Sequence, residues 1–490
     1  MARPDFKNVM PAEAAESLWS FPFAKHLALF WETIFGNKLW IEVPEWLSQY
    51  ETDLWDSILL AATLKEKGII DTLSRRQSEY ADEVQIPFRY LVRVKSEVSG
   101  PGWNGVGNSF IDEKQALVAA IGEALERYSI AYFLPEAGKY IDASFEKIRS
   151  QALDIFSLAG TSPEERNAKN SALPLYFNQK IIFRWMPGYS LTQERPLLVP
   201  LQLVTSAYRP WRTGEEPLLR IFVSTGAATG ATFEDAVYRG ICEVIERDAY
   251  MITWLNKLSP PKLDLESIDD SRFQKVLESF KRNRLELKIT ILPTDLPVHV
   301  LLALIIDRTG AGPAVVATGD ASLSFMEALW GAVTEAASLR LEVRNHFEHA
   351  TQTGEEFGFQ DLSQIGRKGR LLLWARKGME REIEFLLKGK EIKTEDFPDF
   401  LSSRESAKTK MDFIAAAFKK EGLEAAAVDL TPVSIKSIPL KIVFVVAPQL
   451  QPMHLEEALP YFWGERLKTV PQKLGYPVSP MINKLPHPFP

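Results

Sequence analysis

Only one cysteine, Cys242, occurs in 490 residues. That excludes an intrachain disulfide and any cysteine-rich zinc site, and it fits a reducing compartment. No histidine is placed by sequence to activate Cys242, so it reads as a buried structural thiol. Long apolar runs are also missing. The most apolar stretch, "VHVLLALIID", is far too short to span a bilayer and reads as a buried strand. The opening "MARPDFKNVMPAEAAESLW" lacks a basic stretch leading into an apolar run, so it is no signal peptide. These features point to a cytoplasmic protein with no membrane contact. Charge of one sign is not concentrated: 57 basic residues are interspersed with 64 acidic ones for a net charge of -7, which leaves no nucleic-acid surface. There is no GxxxxGK[ST] loop, no GxGxxG after a strand, no HExxH and no GxSxG. "HFEH", from His346 to His349, offers two histidines, and two ligands do not make a zinc site.

What is present is an ordinary soluble composition, 46% hydrophobic and 25% charged, with length enough for a sizeable core. Residues 1–87 form one region, helical in pattern and crowded with Trp19, Phe21, Phe23, Phe30, Trp31, Phe35, Trp40, Trp46 and Trp55. This region reads as a small helical segment packed on the rest, or as an aromatic docking surface for a partner. Residues 88–490 form the second region. "PFRYLVRV", "KIIFRWMPG", "LLVPLQLVT", "LRIFVSTG", "LKITILPT", "VHVLLALIID", "AVVATGD" and "PLKIVFVVAP" read as strands, and 113–134, 233–256, 324–348, 379–388 and 403–421 as helices. No low-complexity linker interrupts them, so one large mixed α/β (α+β) domain is expected.

The domain contains a repeat. Ala116, Glu123, Glu126 and Arg127 recur at identical spacing as Ala236, Glu243, Glu246 and Arg247. A third helix carries Ala328 and Glu335 at the same separation, with Ser338 and Leu339 where the glutamate–arginine pair would fall. Each helix follows a glycine-bearing passage: "NGVGNSF", "STGAATGAT" and "ATGDASLS". Internally repeated strand–turn–helix units are the expected architecture.

Glutamates three apart share a helix face, and an arginine four beyond the first can pair with it. On a solvated helix this is a staple worth a few tenths of a kcal/mol. The stretch "ALVAAIGEALERYSIAYFL" offers no broad solvated face. Two arginines do not balance four converging glutamates, which would raise one another's pKa. A divalent cation resolves the excess, and magnesium typically combines a few carboxylates with phosphate oxygens. Arg239, Glu243, Glu246 and Arg247 form one polar stripe suited to polyphosphate, and Thr232 reads as the N-cap of its helix. At the far end, "INKLPHPFP" places Pro486, Pro488 and Pro490 in alternation, a stiff extended tail.

Together these residues resemble the YcaO superfamily: "GEALERYS", "STGAATGATFEDAVYRGICEVIERDA", "GDASLSFMEALWGAVTEAASLR", "EAAAVDLTPVSIKSIPLKIVFVVAP" and "GERLKTVPQKLGYP" occur in the family's order from about residue 88 onward. The resemblance implies a YcaO-like fold and an ATP and Mg2+ site without a Walker loop. It assigns Glu123, Glu126, Glu243 and Glu246 to the metal and nucleotide, with Arg127, Arg239, Arg247 and Arg340 as further nucleotide contacts. "LPHPFP" is similar to the tail of azoline-forming members, which implies that Pro486, Pro488 and Pro490 shape the catalytic end. The implied reaction converts Cys, Ser or Thr of a ribosomal precursor peptide to thiazoline or oxazoline through a phosphorylated backbone amide oxygen. A separate leader-binding partner resembling ubiquitin-activating enzymes, and a homodimer, are further implications. Ala119, Ala228 and Ala231 stand where many members carry Ser or Asn, Asp235 where Glu is usual, and Arg239 where Gln is common. Thioamide formation, or a non-catalytic scaffold binding precursor and partner, are the alternative readings.

Overall fold

The computed structural model describes residues 52–78, 80–95, 104–167, 173–353, 361–362 and 365–490. Eight of the nine aromatic residues named in the first region therefore lie outside the described residues. The ninth, Trp55, is buried on helix α1 (Trp55–Glu66), beside Ile58 and Ala61.

Among the described residues, fourteen strands form three sheets. The first is antiparallel, β1 (Ile70–Arg75), β2 (Phe88–Val94) and β3 (Asn104–Ser109). β1 lies before the expected boundary at 87/88 and pairs with β2, which lies after it, Leu73 opposite Val92. A second sheet has the order β4 (Ile141–Ser144), β5 (Ile182–Ser190), β13 (Ala426–Asp429), β14 (Lys441–Val446), β7 (Ala227–Gly230), with β6 (Arg195–Pro200) also paired to β5. The third runs β11 (Val315–Ser322), β10 (His299–Ile306), β9 (Glu286–Ile291), β8 (Lys262–Leu263), β12 (Glu391–Ile392). The further principal helices are α2 (Glu113–Tyr132), α3 (Phe233–Asn256), α4 (Ser271–Arg282), α5 (Phe325–Thr353), α6 (Arg367–Ala375), α7 (Ala407–Lys420) and α8 (Arg466–Lys473). No helix among the described residues is long and apolar enough to cross a membrane.

The three repeated units appear as β3–α2, β7–α3 and β11–α5. Their glycine-bearing passages lie largely in the strands, although Thr225 and Gly226 of the second form a turn before β7, and small residues let the helix lie directly on the strand. A Cβ on Gly107 of β3 would stand 1.8 Å from the Ala116 carbonyl of α2. "LRIFVSTG" departs from the expectation in the opposite way: residues 221–224 belong to no strand, and β7 begins only at Ala227. Gly226, at φ +97°, makes the bend, where a Cβ would meet the Val445 carbonyl at 2.2 Å. The helix expected at 379–388 is instead two short 3-10 turns, Met379–Arg381 and Glu384–Leu387. Between Gly378, at positive φ, and Gly389 the run is too short to repay α-helix nucleation.

Capping fixes where α2 and α3 start. Asp112 accepts from the Gln115 N–H, and Thr232 accepts from the Asp235 N–H. α3 is the central helix, with seventeen of its 24 residues buried between the second and third sheets. Any charge on its buried faces therefore needs a partner. Asp248, fully buried, receives a bidentate grip from Arg466 of α8 at 2.7–3.1 Å, and Asp295 flanks the same guanidinium at 2.6 Å.

Candidate active site

The two ExxER helices dock on their strands in the same way. Glu123 of α2 accepts the backbone N–H of Val106 at 2.7 Å, and Glu243 of α3 accepts that of Gly226 at 2.9 Å. In both cases donor and acceptor are 17 residues apart. Each glutamate also takes its own arginine one turn on, Arg127 at 3.1 Å and Arg247 at 3.4 Å. Sequence repeat has become geometric repeat.

Further contacts join the units. Glu126 accepts the N–H of Thr229 in β7 at 2.7 Å, and Arg127 donates to the Ser224 hydroxyl at 2.9 Å. Arg247 also grips Glu246, which is buried against Gly319 of β11. From the third unit, Asp320 and Glu335 face the same group. The Asp320 carboxyl rests on Gly331 of α5, where a Cβ would stand 1.6 Å from it, and accepts the Ala321 N–H.

Electrostatics marks this cluster as incomplete. Burial, then the neighbouring Glu123, pushes Glu126 up to about 8. Burial and Glu335 push Asp320 up to about 8, and Glu335, open to solvent but walled by protein, is raised by desolvation to about 7. Burial also holds Glu246 well above its usual range, against the pull of Arg247. Six carboxylates thus face two guanidiniums, a formal excess of four negative charges if all ionise. The Nε of Arg247 is buried without an acceptor. Added positive charge and an anionic ligand supply what each side lacks. Among the described residues no three carboxylates converge tightly enough to enclose an ion, since backbone amides and arginines hold most of them. Magnesium does not demand such a cage, because it keeps waters and uses one or two carboxylates with phosphate oxygens. The residues present fit magnesium and a polyphosphate.

Two of the expected residues stand apart. Arg340 is buried in a different network, donating to Glu83 at 2.8 Å, Asp307 at 3.0 Å and the Pro313 carbonyl at 2.8 Å. Its side chain is only 4% exposed, so its guanidinium is spent on structure. Arg239 is largely exposed and pairs with Asp235 at 3.1 Å, one turn before Glu243. Asp320 and Glu335 were missed as site residues. Glu335 did carry a signal, its place in the third repeat; Asp320 had none beyond lying in that unit's glycine-bearing passage.

The proline tail reaches α3. Trp254 Nε1 donates to the Leu485 carbonyl at 3.0 Å and Trp374 Nε1 to that of Pro486 at 2.9 Å. Pro486 and Pro488 are buried, and Pro490 is half-buried. Phe489 packs on Tyr250 with centroids 4.5 Å apart, and the Arg247 guanidinium lies 4.5 Å from its ring centre. Arg247 therefore touches both the carboxylate cluster and the tail.

Residues 106–451 match the family model described as YcaO cyclodehydratase, ATP- and Mg2+-binding. An uncharacterized protein in the tfuA 3′ region of Rhizobium leguminosarum bv. trifolii is 28% identical over 53% of this chain, which spans 59% of that relative's length. Among solved structures, a heterocyclase in complex with substrate and cofactor aligns over 88% of this chain and 57% of its own, with a TM-score of 0.70 at 21% identity. The YcaO protein from Methanopyrus kandleri bound with AMPPCP and Mg2+ aligns over 83% and 93%, with a TM-score of 0.57 at 16% identity. The family match covers well over half of the sequence, from β3 through the second and third repeat units, and the mixed α/β fold agrees with it: the chain belongs to the YcaO cyclodehydratase family.

Proposed function

We propose that this protein is the ATP- and magnesium-dependent component that cyclodehydrates Cys, Ser or Thr residues of a ribosomal precursor peptide to thiazolines or oxazolines. The observation that carries the reading is Arg247, held by Glu243 and Glu246 on one side and by Phe489 of the proline tail on the other. A nucleotide site and a tail contact thus meet at one guanidinium.

Glu123, Glu126, Glu243 and Glu246 would hold magnesium, with Glu335 and Asp320 completing the acidic surround. Arg127 and Arg247 would exchange carboxylate contacts for phosphate oxygens, a match that guanidinium geometry favours. When bound, MgATP supplies the phosphoryl group that lets the amide oxygen depart as phosphate, a far better leaving group than hydroxide. The chain's part is placement. The side-chain nucleophile must lie close to the preceding carbonyl carbon, and the buried tail keeps water from competing. A separate leader-binding partner would deliver the peptide, with residues 1–87 as its docking surface.

The test combines binding and chemistry. MgATP should raise the melting temperature of the wild-type protein in a concentration-dependent way and leave Glu246→Gln unmoved. Peptides carrying Cys, Ser or Thr should lose one water per modified residue by mass spectrometry. A melting temperature indifferent to millimolar MgATP would sink the reading in favour of a scaffold.

A further inference from the structure

On the flank of α3 that faces β14, next to the carboxylate cluster, lies a cavity of about 60 Å³. Val223, Val244, Phe444, Leu450 and Met453 give it apolar walls, and Arg247 closes the side toward the site. The volume is roughly that of a small aliphatic side chain and well below the benzene-sized engineered cavities.

Beside it runs the segment 221–224, which belongs to no strand. Its ends are tied down: Ile221 donates its N–H to Tyr461 Oη at 2.8 Å, and Ser224 receives Arg127. Between these ties, Phe222 and Val223 are half-exposed, and their backbone N–H and C=O groups meet no partner among the described residues. Unpaired backbone of this kind is a template for an added strand. Arg220 also lines the cavity. It donates to the Ala159 and Pro448 carbonyls, each at 2.8 Å, and no carboxylate pairs with it among the described residues. Neutral acceptors leave its charge uncompensated, and a further acceptor would be welcome there.

We propose that residues 221–224 and this cavity form the seat of the substrate peptide. The peptide runs as an added strand beside Phe222 and Val223, and one small aliphatic side chain fills the cavity. Its neighbouring amide then lies against Arg247, and Arg220 receives a peptide carbonyl. This deepens the peptide-activating reading and rests on it. Main-chain pairing supplies affinity that ignores sequence, while the cavity selects the residue adjoining the one that is modified. An extended peptide suits the place better than a free anion, because most of the wall is apolar.

The probes are fluorescent, end-capped hexapeptides with one cysteine preceded by Gly, Ala, Val, Leu or Trp. Binding is read by anisotropy with the full-length protein, magnesium and a non-hydrolysable ATP analogue. Val and Leu peptides should bind best, Gly weakly, and Trp weakest. N-methylation of the peptide backbone beside the cysteine should weaken binding roughly tenfold, the worth of one or two lost hydrogen bonds. Val223→Pro should do the same with no change in the MgATP-induced melting shift, since the N–H it removes has no partner in the fold. Met453→Trp should abolish the preference for Val and Leu while the Gly peptide still binds. Equal affinity across the series, indifference to N-methylation, or no binding by any peptide would overturn the proposal. A preserved MgATP shift alongside any of these would leave the nucleotide reading standing, so the two failures are distinguishable.

Discussion

Two ionic clusters, each with a buried centre, involve α5, and they are built on opposite principles. In the first, Arg340 and Arg344 meet Asp82, Glu83, Asp307 and Glu348 at 2.8–3.0 Å. The Arg344 contact holds Asp82 below its usual range; Asp307 also falls below, where burial is outweighed by Thr309 and Arg340. In the second, Glu126, Glu246, Asp320 and Glu335 are all raised, because burial and like charges outweigh two arginines. A closed ion network is architecture, whereas an open one with charge to spare awaits a ligand. Arginine count in the sequence does not separate the two; the partners each arginine meets do.

The comparison breaks most visibly at Arg340. Arg340→Met should leave Asp307 buried without its cation, strip Glu83 of one of its two arginines, and cost about 3–5 kcal/mol in chemical denaturation. Its magnesium nucleotide response, read below the melting transition, should persist. Glu246→Gln should do the reverse: it removes one of the crowded carboxylates, so stability should hold within about 1 kcal/mol or rise. The MgATP affinity of that variant, by calorimetric titration, should fall at least about tenfold. At the tail, Phe489→Leu keeps the burial and loses the ring beneath Arg247, for a loss of about 1 kcal/mol or less. Turnover should suffer more than nucleotide affinity, because the ring positions Arg247 without touching phosphate.

The smallest effect concerns His487, fully buried and held well below the usual histidine range by burial, then by Arg370 and His454. Glu457, paired to both Arg370 and His454, is an acid in its neighbourhood. In the unfolded chain His487 takes up a proton as pH falls through about 6.5, and in the fold it does not. Stability should therefore be fully present above that value and decline below it, by roughly 1 kcal/mol down to pH 5.5. His487→Gln should flatten this dependence in melting curves recorded from pH 5 to 8.

Much of this was legible in the chain. α3 runs from Phe233 to Asn256 as its apolar pattern predicts, and β10 is the buried strand read from "VHVLLALIID". The repeated spacing of the ExxER pairs announced a shared geometry. β3 and β7 were hidden because glycine and alanine mark both turns and strands under close helices, and only the packing distinguishes them. Arg340 was misplaced for a related reason: its family-like position says nothing of Glu83, more than 250 residues away. Asp320 and Glu335 enter through the third unit, where Ser338 replaces the expected glutamate and is used differently. Its hydroxyl accepts from Asn108 of β3 at 2.9 Å, joining the third repeat to the first.

The clasp between Trp254 and Leu485 spans 231 positions of sequence. A ribosome adding roughly 5–20 residues per second leaves that indole, with Tyr250 stacked beside it, bare for on the order of ten seconds or more. The nascent chain thus shows an aromatic patch long before its cover is made, a natural foothold for a chaperone. On this account the tail takes its place on α3 late, after the helix and its aromatic neighbours have been made.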